Sequence, residues 1–299
     1  MNITNIYEVP DALVKAVSLE KHNGENEISA TTLLKGVKEH LLTDRHWEEI
    51  TVDVSENLWA LFGTAIHALL EKESPDTFTE EKFWSKVGDW NITGRVDCYD
   101  MAKEIIFDYK VTSAWKIVFK NFTDWERQGK IYAWLLKQKG LNVKECRFVA
   151  MLRDWSETES LRNADYPKGQ IYVHKFEITE DDLSEIEKFI RDKVEQLSAY
   201  KDTPDNEIPC CSEEERWADK TKYAVMKEGR KTAVKVFDNK EDADKMTEEL
   251  GAKHYVEERK GKDKKCTRYC SACQFCNYYK EHYGTEPTED GRTEDGETE

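Results

Sequence analysis

The chain has 299 residues and a formal net charge of −16, with 61 Asp and Glu against 45 Lys and Arg. Nine Trp, thirteen Tyr and eleven Phe, with 38% apolar residues, exclude a generally disordered chain and allow one large domain plus a small appendage. The longest apolar stretch, Leu58 to Leu70, is about a dozen residues and contains His67, too short to span a bilayer.

In chain order, residues 10–45 read as helical, with Leu33, Leu34, Val37, Leu41 and Leu42 at helical spacing. Ser55 is placed to cap a second helix whose buried stripe is Leu58, Phe62, Ala65, Ile66 and Leu69, with Pro75 as its stop. Three strand-like runs follow near 78–90, 92–100 and 104–110. A helix is predicted over 124–139 with Gly140 ending it, then strands over 144–152 and 170–178. Thr179 caps a long amphipathic helix to Tyr200, with Asp182 completing an acidic capping box. Residues 202–209 look like a linker. Beyond it, a small module reads as strand, turn at Glu228-Gly229, strand, helix 239–250 and strand 253–258. Residues 284–299 are rich in Thr, Glu, Asp and Gly and read as a disordered acidic tail. The expected division is a core over 1–205, a module over 206–283 and that tail.

Charge is unevenly spread. Residues 281–299 hold eight acidic side chains and one Arg, whereas residues 220–270 hold fifteen Lys and Arg against ten Asp and Glu. A chain that is acidic overall can still present a basic strip to phosphates, and Lys227, Arg230, Lys231 and Lys235 on the module's hairpin are candidates for tracking a DNA backbone. An ordinary solvated surface is the alternative. The N-terminal residues lack a basic segment followed by an apolar one, which leads to the expectation of a cytoplasmic protein without membrane association.

The chemistry concentrates in the run from Gly94 to Lys110. If the two strands form a hairpin centred between Ala102 and Lys103, opposed positions sum to 205 and Asp97 faces Asp108. Arg95, Asp97, Tyr99, Ile106, Asp108 and Lys110 then share one face. Val96, Cys98, Ile105, Phe107 and Tyr109 form the core-like face. Two carboxylates directly opposed repel unless a cation lies between them, and a divalent ion with oxygen ligands resolves the repulsion. Lys110 could then hold a water or stabilise charge on a phosphate. A solvated face of alternating charge is the bland alternative.

On the preceding helix, Gly63, His67 and Glu71 recur every four residues, so His67 can add an imidazole to the carboxylates. Such a nitrogen and oxygen site takes Mn2+ as well as Mg2+. Gly63, lacking a side chain, permits close approach of a strand or substrate. Gln128 and Tyr132 share a face of the next helix, where Gln can bond a phosphate or base edge and Tyr can stack.

Together, Gly63 to His67, Gly94-Arg95-Val96-Asp97, Asp108-Tyr109-Lys110 and Gln128 with Tyr132 resemble the PD-(D/E)xK nuclease superfamily, in its RecB-like branch. The resemblance covers roughly residues 30–200 and is strongest to phage-encoded exonuclease-like members. It implies a restriction-endonuclease-like α/β core, a mixed central sheet flanked by helices. It also implies a Mg2+- or Mn2+-dependent DNA nuclease, probed first as an exonuclease, acting in recombination, repair or replication. In this resemblance His67, Asp97, Asp108 and the Tyr109 carbonyl bind the ion, Lys110 positions the attacking water, and Gln128 and Tyr132 contact the substrate strand. Asp at 108 departs from the more usual Glu. A partner protein and an oligomer are compatible with this reading.

Eight cysteines are present, four of them within Cys266 to Cys276. Cys266, Cys270, Cys273 and Cys276 have ligand-like spacing for Zn2+ or an iron–sulfur cluster. RecB-like nucleases carrying a 4Fe-4S cluster resemble this end of the chain. On their pattern the ligands are Cys211 (or Cys210), Cys266, Cys270 and Cys276, leaving Cys273 spare. In those relatives the distant cysteine precedes the core, whereas here none precedes Cys98. The cluster would staple the small C-terminal α+β module. Cys98 and Cys146 read as core cysteines. Two alternatives are a DNA-end or partner-binding protein of the same fold without catalysis, and a zinc-type adapter in which the cysteine module is the functional part.

Overall fold

The computed structural model describes residues 1–17, 24, 26–72 and 78–284. The chain divides into two compact units, Met1–Thr203 and Pro204–Glu299. The expected acidic tail and the helix stop at Pro75 lie outside the described residues.

The first unit opens with β1 (Asn2–Thr4), α1 (Asp11–Val17), β2 (Glu27–Ser29), α2 (Ala30–Leu33), α3 (Val37–Arg45) and β3 (Thr51–Asp53). The continuous helical reading of 10–45 is therefore corrected: β2 interrupts it, and Ser29 caps α2 through a bond from the Thr32 N–H. The helix α4 (Leu58–Lys72) follows a 3-10 turn, Val54–Asn57. That turn, which leads into α4, is capped by Asp53. The Asp53 carboxylate accepts the Ser55 N–H, and Glu56 reaches back to the Asp53 N–H. Asp53 also accepts the Ile6 N–H and the Thr4 hydroxyl, tying the N-terminal strand to the foot of α4.

The central sheet has six strands: β2, β4 (Phe78–Val87), β5 (Trp90–Asp100), β6 (Ile105–Thr112), β7 (Glu145–Leu152) and β8 (Ile171–Glu177). The order β2-β5-β6-β7-β8, with β4 on the other edge of β5, is mixed: β2 with β5 and β6 with β7 are parallel, the rest antiparallel. Around it lie α5 (Ala114–Val118), α6 (Thr123–Lys137), α7 (Glu157–Arg162) and α8 (Glu180–Tyr200). The sheet is covered because α6 turns an almost wholly apolar face inward, with Trp125, Ile131, Leu135 and Leu136 buried. The Ile186, Ile190, Val194 and Leu197 stripe of α8 is buried as well. Gly94 lets β5 and α6 meet, since a Cβ there would lie 2.7 Å from Leu135 Cδ1 and 2.9 Å from Tyr132 Cδ1. This is the mixed central sheet flanked by helices expected from the sequence.

One edge of β5 is shared by two partners. Residues 91–93 pair with β2, and residues 98–100 pair with β6. Between them, positions 94–97 have no ladder partner on that edge. The sheet therefore parts beside Asp97.

The second unit holds a three-stranded antiparallel sheet, β10-β9-β11, from β9 (Lys222–Lys227), β10 (Lys235–Phe237) and β11 (His254–Arg259). Its helices are α9 (Glu213–Arg216), α10 (Lys240–Leu250), α11 (Lys264–Arg268) and α12 (Asn277–Tyr283). Buried Asp263 is its polar hub: it accepts the Tyr278 and Tyr283 hydroxyls at 2.8 and 3.0 Å and the Arg216 Nε at 3.1 Å. Burial pushes the Asp263 carboxyl up, but these three donors outweigh it and hold the carboxyl below its ordinary range. Among the described residues no helix is long and apolar enough to cross a membrane.

Candidate active site

The β5–β6 hairpin has the register in which opposed positions sum to 205: Cys98 pairs with Phe107, Tyr99 with Ile106 and Asp100 with Ile105. Asp97 and Asp108 would be the next pair. Instead the ladder stops, and the Asp97 Oδ2 takes the Tyr109 N–H at 2.7 Å. A side-chain oxygen thus replaces a backbone carbonyl where the strands part. Both acids are buried, Asp97 at 8% and Asp108 at 1% exposure. The expectation that only the opposite face is core-like is corrected: Tyr99 and Ile106, on the acidic face, are buried as fully as Val96 and Ile105.

His67 on α4 reaches this pair. Its Nδ1 lies 3.1 Å from Asp97 Oδ1 and its Nε2 3.1 Å from the Tyr109 carbonyl oxygen. Both neighbours are acceptors, so only a doubly protonated ring satisfies both contacts. Lys110 Nζ stands 2.6 Å from Asp108 Oδ1, an ion contact off the line of a hydrogen bond. Burial drives the Asp108 carboxyl up to about 6. Lys110 opposes the shift and the Asp97 carboxylate adds to it.

Gln128 and Tyr132 on α6 are each 5% exposed. The Gln128 Nε2 donates to Asp108 Oδ2 at 3.3 Å and to the Tyr132 hydroxyl at 2.7 Å. In this arrangement they back the Asp108 carboxylate from the core instead of facing a substrate strand. The same helix face that the sequence presents as polar is covered because it lies against the sheet.

A Cβ at Gly63 would meet nothing within 4 Å, so no strand approaches it and the space beside it is open. The predicted buried stripe of α4 is not buried either, with Phe62 47% and Leu69 62% exposed. Two further cations near the site had no sequence motif to mark them. Burial holds the Lys116 ammonium below its ordinary range, Asp124 opposing and Lys110 adding to the effect. Arg153 donates its backbone N–H to the Thr112 carbonyl at the end of β6.

The donors that converge here are an imidazole, two carboxylates and a backbone carbonyl, the set suited to Mg2+ or Mn2+. The observation that fits an ion is the pair of buried acids: Asp97 and Asp108 lie close enough that the Asp97 carboxylate adds to the upward shift of Asp108, and a cation between them would relieve that repulsion. As they stand, these side chains are tied to one another. Among the described residues no group of three or more His, Cys, Asp or Glu is arranged to hold a metal ion.

No protein-family model matches the chain, and no curated protein matches its sequence. Solved structures do resemble it. The structure of SSO0001 is 19% identical over 65% of this chain and 85% of its own, with a TM-score of 0.45. A phage-related exonuclease from Haemophilus somnus 129PT is 12% identical over 58% and 95%, with a TM-score of 0.38. LHK-Exo in complex with dAMP is 14% identical over 59% and 90%, with a TM-score of 0.39, and LHK-Exo is an alkaline exonuclease from Laribacter hongkongensis.

Six cysteines lie in the second unit, Cys210 exposed and the other five half-buried, whereas Cys98 and Cys146 are buried in the first. Burial pushes the Cys266 thiol up to about 12, with smaller contributions from Asp263, Cys211 and Cys276. Cys266, Cys211 and Cys276 are thus electrostatic neighbours. Arg216 joins them to the hub, donating to the Cys211 carbonyl and to the Cys210 sulfur as well as to Asp263. The expected ligands Cys211, Cys266, Cys270 and Cys276 all lie in this unit, each half-buried.

Proposed function

We propose that the first unit is a divalent-metal-dependent deoxyribonuclease, acting from DNA ends. The observation that carries this reading is the meeting of His67, Asp97, Asp108 and Lys110 at the parting of β5 and β6. A parted sheet edge gives a phosphodiester access to groups that are otherwise buried. His67, Asp97, Asp108 and the Tyr109 carbonyl are the residues that would hold the ion. Mg2+ or Mn2+ bound there would neutralise the phosphate and make its water a better nucleophile.

The chain's own groups do the rest. Asp97 is fixed by the Tyr109 N–H, and Asp108 is fixed by Gln128 from behind. Lys110 has its ammonium beside Asp108 with 24% of the side chain exposed. It can therefore turn its charge toward an incoming phosphate and hold the attacking water. Lys116, half-buried and close enough to feel Lys110, adds positive charge to a site that must receive a polyanion. Phosphodiester hydrolysis asks for positioning and charge neutralisation more than covalent work.

For the second unit we infer a metal-stapled module, with Cys211, Cys266, Cys270 and Cys276 as ligands of a 4Fe-4S cluster and Zn2+ as the alternative. The neighbouring placement of three of these thiols supports it. Anaerobically purified protein that is brown and contains iron supports the cluster; colourless protein with zinc supports the alternative, and metal-free protein overturns both.

The nuclease reading is tested by incubating end-labelled linear DNA and circular DNA with Mg2+ or Mn2+, with and without EDTA. Loss of linear DNA alone, abolished by EDTA, is expected. Intact DNA under all metal conditions would leave a DNA-end-binding protein of this fold in its place.

A further inference from the structure

We propose that the outer face of α4, together with Arg153, is a stacking platform for the unpaired bases of a single-stranded DNA segment leading away from the acids. This deepens the nuclease reading and rests on it for the position of the scissile phosphate. Its own observations lie elsewhere.

Trp59, Gly63 and His67 recur every four residues and so share one face of α4. His67 touches Asp97. Trp59 is eight residues earlier, roughly 12 Å along the helix axis. That is about three to four nucleotide steps at the ~3.4 Å spacing of stacked bases. Gly63 lies between them, where even a Cβ would meet nothing within 4 Å, so the way from acids to ring is open. Trp59 is 50% and Phe62 47% exposed, with ring centroids 5.5 Å apart.

Charge complementarity selects the occupant. The Arg153 guanidinium lies 4.3 Å over the Trp59 ring, and its backbone is bonded to Thr112, two residues beyond Lys110 on β6. A cation stacked on an aromatic ring poorly suits a purely apolar partner helix. It suits a strand that offers a phosphate to the guanidinium and a base to the ring. On α5, which starts two residues after β6, Trp115 and Phe119 are also exposed, 6.1 Å apart. Exposed ring pairs therefore flank the end of β6 from both sides in sequence. A duplex keeps its bases stacked inside and could use only the cation.

The test is fluorescence anisotropy in EDTA, without cleavage, using a labelled oligothymidine and a labelled blunt duplex. Wild-type protein is expected to bind the single strand, and Trp59→Ala to weaken that binding by about fivefold to a hundredfold. Trp59→Tyr should restore most of it, and duplex binding should not change. Trp59 is half-exposed, so the variant is expected to fold, and a thermal melt checks this. Wild-type protein that fails to bind the oligothymidine overturns the platform. So does a Trp59→Ala variant that binds it as tightly as wild type, or one that loses both DNA forms equally. DNA cleavage with metal, alongside unchanged single-strand binding by Trp59→Ala, removes the platform alone. Trp59-dependent binding without any cleavage removes the nuclease reading alone.

Discussion

The Asp97 carboxylate accepts the Tyr109 backbone N–H at 2.7 Å, in the place where a β-ladder would put a backbone carbonyl. This one bond serves two purposes. It satisfies a donor left over when β5 and β6 part, and it fixes a carboxylate at the mouth of the parting. Asp97→Asn is isosteric and keeps an oxygen that can accept that N–H. The variant should therefore fold with a melting temperature within a few degrees of wild type. It should lose nearly all DNA cleavage. Calorimetric melting and a digestion assay on the same preparation check the two halves.

Lys110→Met should lower cleavage by at least about a hundredfold. It also leaves the buried Asp108 carboxylate without its cation, a loss of the kind that costs about 3–5 kcal/mol when full. Asp108 can escape part of that by taking a proton. The variant should therefore be much less stable than wild type at pH 8 and close to it at pH 5, as read by denaturant titration.

Asp108 itself sets a pH dependence. Its carboxyl is raised to about 6 by burial, against an unfolded value near 3.9. A raised folded value stabilises the protein fully below pH ~4, and that contribution is lost as pH rises through about 6. Metal-free wild-type protein should lose on the order of 1–3 kcal/mol across that window. Asp108→Asn, which cannot ionise, should lack this component of the slope. Urea melts at pH 4.5 and pH 7.5 for the two proteins provide the comparison.

Gln128→Leu removes the amide that backs Asp108 while keeping a comparable volume. The buried Tyr132 hydroxyl and Asp108 Oδ2 each lose a donor, at about 1–3 kcal/mol for a buried partner left unmet. Cleavage should fall through a lower kcat with KM little changed, because Gln128 touches Asp108 and not the surface. A rise in KM with unchanged kcat would return Gln128 to direct contact with substrate.

Much of this was legible beforehand. The hairpin register followed from placing the centre of Met101–Glu104 between the two charged runs. The α8 capping box followed from Thr179 and Asp182. The α6 and α8 stripes followed from helical period. What the sequence hid has physical causes. The run Leu58 to Leu70 is apolar enough to predict a buried helix, yet much of α4 faces outward beside the site. The three-residue strands β1, β2 and β3 carry too few residues for a period to register, and the ties from Asp53 to Thr4 and Ile6 join residues 49 and 47 positions apart in sequence. Gln128 read as a substrate contact because polarity alone does not say whether its partner is a ligand or a buried carboxylate such as Asp108.

The most direct measurement is calorimetric titration of Mn2+ into metal-free wild-type protein and into Asp97→Asn and Asp108→Asn. Shared coordination by the two acids predicts a saturable site in the wild type that is lost in both folded variants. Equal Mn2+ binding by all three proteins would contradict it.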